Sequence, residues 1–296
     1  MSEPKYYIWA SDPHGTGRDW IDLVHQAQTK YPDSQSVFGG DYIDGNIQSA
    51  ETVDFIRDQV EHHGAIALLG NHEQLLIDFV EHDNLLWYIN GAKTTVKSFF
   101  GRGFSKRKTR KILKDDDRYR FLTKLPMIYT TPHLIFVHAG IQADHQNWQD
   151  SRIYNNQKYF YLWARTEYFY QAPAKNRYFM HNVTKHTIVT GHTPTMFING
   201  EYDKTYPDGQ MVLPTTNIYD IHDGKEDPTK RPCPVVKVQY PNESPRYFTD
   251  DGCHGAPNHH GNVCVFTNTG NLIEVFNSDP KGQQAYDWST DGLKQL

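Results

Sequence analysis

Tyr6-Tyr7-Ile8-Trp9-Ala10-Ser11-Asp12-Pro13-His14-Gly15 runs from an unbroken apolar segment into a cluster of oxygen and imidazole donors closed by a glycine. The apolar residues, bounded by turn formers, read as a buried strand. The same transition recurs along the chain. Val37-Phe38 leads into Gly39-Gly40-Asp41-Tyr42-Ile43-Asp44-Gly45, and Ile66-Ala67-Leu68-Leu69 into Gly70-Asn71-His72-Glu73. Farther on, Leu134-Ile135-Phe136-Val137 ends in His138-Ala139-Gly140, and Thr187-Ile188-Val189-Thr190 ends in Gly191-His192-Thr193.

Helical periodicities separate the first three of these strands. Trp20, Leu23, Val24 and Ala27 fall at i, i+3, i+4, i+7, and Val53, Ile56 and Val60 share a face that ends at Gly64. Leu75, Leu76, Phe79 and Val80 continue as a third helix. This βαβαβα order implies parallel strands joined by helical crossovers. Their carboxyl ends then lie along one edge of a sheet, where open α/β folds bind ligands. Donors far apart in sequence are therefore expected to converge.

The remainder is less regular. Residues 83–124 read as a helical insertion packed over the edge of the core, carrying the basic residues Arg102, Lys106, Arg107, Lys108, Arg110, Lys111 and Lys114. That stretch is either a solvated helical face balanced by Asp115-Asp116-Asp117 or a surface for a phosphate-rich ligand. Trp87, Tyr88, Phe99, Phe100 and Phe104 nearby are either core of this cap or a stacking wall. Strands return at Met127 to Thr130, and a helix is expected around Tyr159 to Tyr170. Residues 200–247 carry seven prolines, which excludes regular helix and central strand, so a loop-rich insertion is expected there, with a hairpin near Val235 to Val238. Val263 to Thr267 and Leu272 to Phe276 flank Asn268-Thr269-Gly270 as a closing hairpin. With no internal repeat and no linker, residues 1–296 read as one domain.

Composition narrows the class. A 296-residue chain with 14% aromatic residues can bury a real core, roughly 75% of its unfolded surface. The formal net charge of -5 argues against a dedicated nucleic-acid binder. No apolar run approaches the ~18–20 residues of a membrane span, and Met1 to Ala10 lack a signal pattern, so a soluble cytoplasmic protein without membrane partners is expected. Cys233, Cys253 and Cys264 are too few for a disulfide framework. Sixteen histidines direct attention to metal binding and proton transfer.

Singly, each donor cluster is a weak signal. Asp41 and Asp44 could cap a helix or shape a turn. Five clusters, each directly after an apolar run and each beside a glycine, are hard to obtain from packing needs alone. The ordered series Asp12-x-His14, Gly40-Asp41-x-x-Asp44, Gly70-Asn71-His72-Glu73, His138-Ala139-Gly140 and Gly191-His192 resembles the calcineurin-like metallophosphoesterases, especially the phosphoprotein-phosphatase type. Similar motifs occur in bacterial serine/threonine phosphatases and symmetrical diadenosine tetraphosphatases. The intervals of 29 residues from Asp12 to Asp41 and 30 from Asp41 to Asn71 fit that family's core. The likeness runs from about residue 5 to 275, apart from 200–247.

The resemblance implies an α/β fold, a four-layer α/β/β/α sandwich, around two divalent transition-metal ions, Mn²⁺ first, with Fe or Zn²⁺ as alternatives. Asp12 and His14 would bind one ion, Asp41 would bridge both, and Asn71, His138 and His192 would complete the other. His72 would act as the general acid, with Asp44 orienting its ring. A hydroxide bridging the metals would attack phosphorus without a covalent enzyme intermediate.

Trp163-Ala164-Arg165 resembles a Trp-x-Arg segment of bacterial members, which makes Arg165 a candidate phosphate donor; the alternative is a surface arginine paired with Glu167. Relatives of this type carry an arginine directly after the aspartate matching Asp44, whereas this chain has Gly45, with Arg102 a candidate replacement. Asp250-Asp251-Gly252-Cys253-His254-Gly255 resembles the segment closing the active-site face. His254 is a candidate substrate contact there, or a turn histidine like His259 and His260. The expectation is a phosphomonoesterase of serine/threonine-phosphatase type acting on a phosphorylated substrate. A symmetrical dinucleoside tetraphosphatase, converting diadenosine tetraphosphate to ADP, is the alternative; a non-catalytic phosphate- or nucleic-acid-binding module is a third reading.

Overall fold

The computed structural model describes residues 3–144, 146–149, 156–171, 178–198, 200, 235–254, 259–277, 286–287 and 294–295. The expected alternation opens the chain: β1 (Tyr6–Ala10), α1 (Arg18–Lys30), β2 (Ser34–Phe38), α2 (Ser49–His62), β3 (Ile66–Ala67) and α3 (Asn71–His82). Four short helices follow: α4 (Leu86–Ile89), α5 (Ala92–Phe100), α6 (Lys106–Lys114) and α7 (Asp117–Leu122). The second half contains β4 (Ile128–Thr130), β5 (Leu134–Val137), α8 (Gln157–Trp163), α9 (Thr166–Phe169), β6 (Thr187–Thr190), β7 (Val236–Val238), β8 (Arg246–Phe248), β9 (Asn262–Thr267) and β10 (Leu272–Asn277).

Two five-stranded sheets result, ordered β10-β9-β1-β2-β3 and β4-β5-β6-β8-β7. In the first, β1, β2 and β3 are parallel and the closing hairpin β9-β10 adds to β1 antiparallel. In the second, β5, β6 and β8 are parallel, with antiparallel strands at both edges.

The side-chain alternation of the strands builds the layers. Ile8 and Ala10 of β1, with Val263 and Val265 of β9, pack into the core shared with α1, α2 and α3. Their alternates Tyr7, Trp9, Cys264 and Phe266 turn the other way and meet Leu134, Phe136, Val189 and Tyr247 of the second sheet. Ile135, Val137, Ile188 and Phe248 then point out from that sheet toward Tyr168 and Phe169 of α9. Helices, two face-to-face sheets and a further helical layer give the four-layer α/β/β/α sandwich. Trp9 fastens the sheets together, since its fully buried indole donates to Thr249 Oγ1 just after β8 (2.8 Å).

Residues 83–124 are helical, as expected, and Trp87 and Phe99 are buried core residues, with Tyr88, Phe100 and Phe104 packed against them. Arg110 and Lys114 of the basic stretch pair with Asp83 and Glu81 on and beside α3.

The structure departs from the sequence pattern in two places. The helix expected over Tyr159 to Tyr170 is broken into α8 and α9, because Ala164 is extended and the Arg165 side chain reaches away to His192 and Thr193. Of the expected loop-rich segment 200–247, residues 201–234 lie outside the described residues, while its end belongs to the second sheet. The hairpin near Val235 to Val238 is present as β7 with β8. The residues of β8 itself were not located, because buried Arg246 interrupts its apolar pattern. Its guanidinium donates to the carbonyls of Tyr168 and Met180 (both 2.6 Å), so a charged residue is satisfied inside a strand. Among the described residues, no helix is long and apolar enough to cross a membrane.

Candidate metal centre

The loops leaving β1, β2, β3, β5 and β6 bring Asp12, His14, Asp41, Asn71, His138 and His192 together, all buried. Tight backbone turns aim these groups. Asp12, His14, Asp41, Asp44 and His192 have φ between 44° and 70°, a left-handed conformation rare for residues with a side chain. Each such residue costs on the order of 1–3 kcal/mol, a cost carried where the surrounding structure fixes the backbone. Here Asp12 and His14 donate their amides to the carbonyls of Gly40 and Asp41 (both 3.0 Å). The Glu73 carboxylate accepts the amides of Asp41 and Tyr42 (both 2.8 Å) and of Gly70 (3.1 Å), locking two strand-end loops to the start of α3.

Asp41 lies at the centre. Its Oδ2 is 3.6 Å from His14 Nε2 and its Oδ1 is 3.4 Å from His138 Nε2. Ligand atoms of Asp12, His14 and Asp41 fall within 4.8 Å of one another, as do those of Asp41, His138 and His192. One carboxylate thus belongs to two donor groups.

The donors fit cations on chemical grounds. His14 Nδ1 and His138 Nδ1 lie against the carbonyls of Ile43 (3.1 Å) and Gly39 (2.8 Å), which assigns the protons to those nitrogens and leaves both Nε2 lone pairs facing inward. His138 Nε2 then faces Asn71 Oδ1 at 2.9 Å, two lone pairs that a shared cation would reconcile. Asp12 Oδ1 accepts the His192 amide (2.9 Å), but Asp12 Oδ2 and both ring nitrogens of His192 are buried without a hydrogen-bond partner among the described residues. Burial holds His14, His192 and His138 below the ordinary imidazole pKa, which favours ring lone pairs open to a cation. Burial also drives Asp12 well above the usual carboxylate range, with Asp250 and Asp41 adding to it. For Asp41, burial is outweighed by His138, His72, His14 and His192, and the carboxyl sits below its ordinary value. Carboxylate, amide and imidazole together suit a transition-metal dication.

His72 stands beside this cluster. Its Nδ1 is 2.8 Å from Asp44 Oδ2, leaving Nε2 as the free nitrogen. Burial lowers its pKa, but Asp41 and Asp44 raise it further, to about 9. Asp44 is fully buried and also accepts from Trp87 Nε1 (3.0 Å) and Thr95 Oγ1 (2.5 Å).

The exposed His254 has its ring centroid 4.8 Å from that of His14 and 5.1 Å from that of His72. Gly45 lies against both residues: a Cβ there would stand tightly, 3.1 Å, from His14 Cβ and in ordinary contact, 3.4 Å, with His254 Cα. The exposed Arg165 donates to the His192 carbonyl (3.2 Å) and Thr193 Oγ1 (2.7 Å), so its guanidinium is tethered at the His192 end of the site. Arg102 instead lies over the Phe104 ring, 5.0 Å from its centroid.

Three features of the site had no assigned role in the sequence reading. Asp250, just past β8, is a buried carboxyl whose pKa burial raises to about 7, against a 2.7 Å hydrogen bond from Gly252. Recognition of β8 as a strand would have marked it as another strand-end donor. Glu73 was visible only as part of a motif, and the bonds from Trp87 and Thr95 to Asp44 had no local signal.

No match was found among curated proteins. A protein provisionally assigned as a diadenosine tetraphosphatase is 16% identical, with a TM-score of 0.48, covering 93% of this chain and 94% of its own. A metallophosphoesterase from Sphaerobacter thermophilus is 15% identical, with a TM-score of 0.47 and coverage of 94% and 89%. A serine/threonine phosphatase from Saccharomyces cerevisiae is 15% identical, with a TM-score of 0.42 and coverage of 65% and 62%. A family model described as calcineurin-like phosphoesterase matches residues 7–196, well over half of the chain and every strand-end cluster from Asp12 to His192. With that span and that donor set, the chain belongs to the calcineurin-like phosphoesterase family.

Proposed function

We propose that this hydrolase is a binuclear metal-dependent phosphomonoesterase. The observation that carries the reading is the position of Asp41 in two donor groups at once, beside lone pairs of Asp12 and His192 that have no partner. Asp12, His14 and Asp41 would hold one divalent cation, and Asp41, Asn71, His138 and His192 the other, with Mn²⁺ the first choice. When bound, such a pair supplies Lewis acidity toward water and toward the phosphoryl oxygens.

The chain's own residues do the rest. Arg165 is tethered at one end of the cluster with its remaining guanidinium donors available to phosphoryl oxygens, and His254 is exposed at the other. His72 carries a proton on Nε2 when charged, and Asp41 and Asp44 favour that state. It would deliver this proton to the departing ester oxygen, which matters most when that oxygen leaves an alkyl group. Asp44 binds the opposite nitrogen and so sets which edge of the ring faces the substrate. The buried donors behind the cluster exclude water from the ligand side of the site.

A substrate panel run with and without Mn²⁺ tests this reading. Metal-dependent release of phosphate from p-nitrophenyl phosphate and phosphopeptides is expected. Inertness of metal-loaded protein toward both would overturn it, and ADP as sole product from diadenosine tetraphosphate would favour the dinucleotide alternative.

A further inference from the structure

The proton donor is held from a part of the chain that supplies none of the candidate metal ligands. Asp44 Oδ2 accepts from His72 Nδ1 and from the Trp87 indole N–H, at 2.8 and 3.0 Å. Asp44 Oδ1 accepts from Thr95 Oγ1 (2.5 Å) and shares the Trp87 donor (3.2 Å). The Thr95 hydroxyl in turn accepts the Asp44 amide (2.9 Å), so one side chain grips both ends of a residue whose φ is 70°. Trp87, Thr95 and Asp44 are all fully buried. Between Trp87 and Thr95 lies Gly91, also left-handed, where a Cβ would come within 2.7 Å of Asp44 Cβ. Residues 87, 91 and 95 therefore present a donor, a gap and a donor to the same carboxylate.

We propose that Trp87 and Thr95 are positioning residues for proton donation, acting on His72 through Asp44. This rests on the reading of His72 as the proton donor. A carboxylate bonded only to His72 could rotate about its terminal torsion and carry the imidazole with it. No solvent reaches Asp44 to replace a lost donor, so each of the two bonds restricts that rotation and offsets the cost of burying the charge. The direction of His72 Nε2 is thus set by α4 and α5, roughly fifty residues away in sequence from Asp44.

The test compares kcat on p-nitrophenyl phosphate, whose phenolate leaves without a proton, with kcat on an alkyl monoester such as a phosphoserine peptide. The ratio of the two is independent of the fraction of molecules folded, so destabilisation cancels. Thr95→Val keeps the side-chain shape and removes the hydroxyl, Thr95→Ser restores it, and Trp87→Phe removes the indole donor. In Thr95→Val and Trp87→Phe the alkyl ester is expected to slow by about 10-fold more than the aryl ester, part of the 10²–10⁴ typical of general acids. Thr95→Ser is expected to recover the wild-type ratio, with bound metal unchanged throughout. Equal losses on both substrates, while His72→Asn alone separates them, would make Trp87 and Thr95 structural supports only and overturn the inference. Failure of His72→Asn to separate them would instead remove the proton-donor reading beneath it.

Discussion

The proposed metal cluster and the proposed proton donor sit side by side but are built differently. Every proposed metal ligand stands within a few residues of the end of an apolar strand, and Asp12, His14, Asp41 and His192 are aimed by left-handed backbone. His72, the residue after Asn71 in α3, depends instead on Asp44, which depends in turn on side chains of α4 and α5. The first arrangement rests on strand-end backbone; the second rests on side-chain hydrogen bonds from a separate helical segment. Substitutions should therefore separate the two regions, with ligand changes acting on metal and turnover together and changes around His72 acting on turnover alone.

The largest effect is expected for Asp41→Asn, which removes the charge shared by both donor groups. Metal content and hydrolysis should fall together, turnover by about 10³-fold or more if the electrostatic contribution of the site is lost. Elemental analysis alongside rate measurement checks this, and retained metal with lost activity would break the distinction. His72→Asn should keep its metal while slowing alkyl monoesters by about 10²–10⁴-fold. If that substitution emptied the site instead, His72 would belong with the ligands.

A third change sharpens the contrast through stability. Glu73→Ala would leave the buried amides of Asp41, Tyr42 and Gly70 without their acceptor. A loss on the order of 3 kcal/mol is expected in the metal-free protein, measured by denaturant unfolding. Unchanged stability would show that the strand-end loops do not need this clasp. The smallest effect concerns pH. In metal-free protein the pKa of His72, about 9, lies above the ~6.5 of an unfolded histidine. The charged ring therefore stabilises the fold fully at pH below the unfolded value, and this contribution fades as pH rises toward about 9. Unfolding midpoints should decline across that window, and Asp44→Asn should flatten the decline; an equally steep decline in that variant would contradict the pairing.

The contrast also explains what could be read from sequence. The strand-end donors were legible because each follows an apolar run, whereas the four-layer sandwich was implied only by the family resemblance; the alternation of Tyr7 and Trp9 against Ile8 and Ala10 that builds it is seen in the structure. β8 was hidden by Arg246, a charge satisfied through carbonyls of Tyr168, Phe169 and Met180, which no local pattern reveals. Asp250 was read only as the start of the segment closing the active-site face, with no role of its own. The break before Arg165 depends on a tether to Thr193, and the grip of Trp87 and Thr95 on Asp44 spans distant segments. Both are long-range pairings of side chains that propensity and periodicity do not carry.

The central claim is that Asp41 joins two cation sites. Its most direct test is the metal content of protein equilibrated with Mn²⁺ and freed of excess ion, measured by elemental analysis. The account predicts about two ions per chain in a binuclear site. A saturating content of one ion per chain, or none, would contradict it.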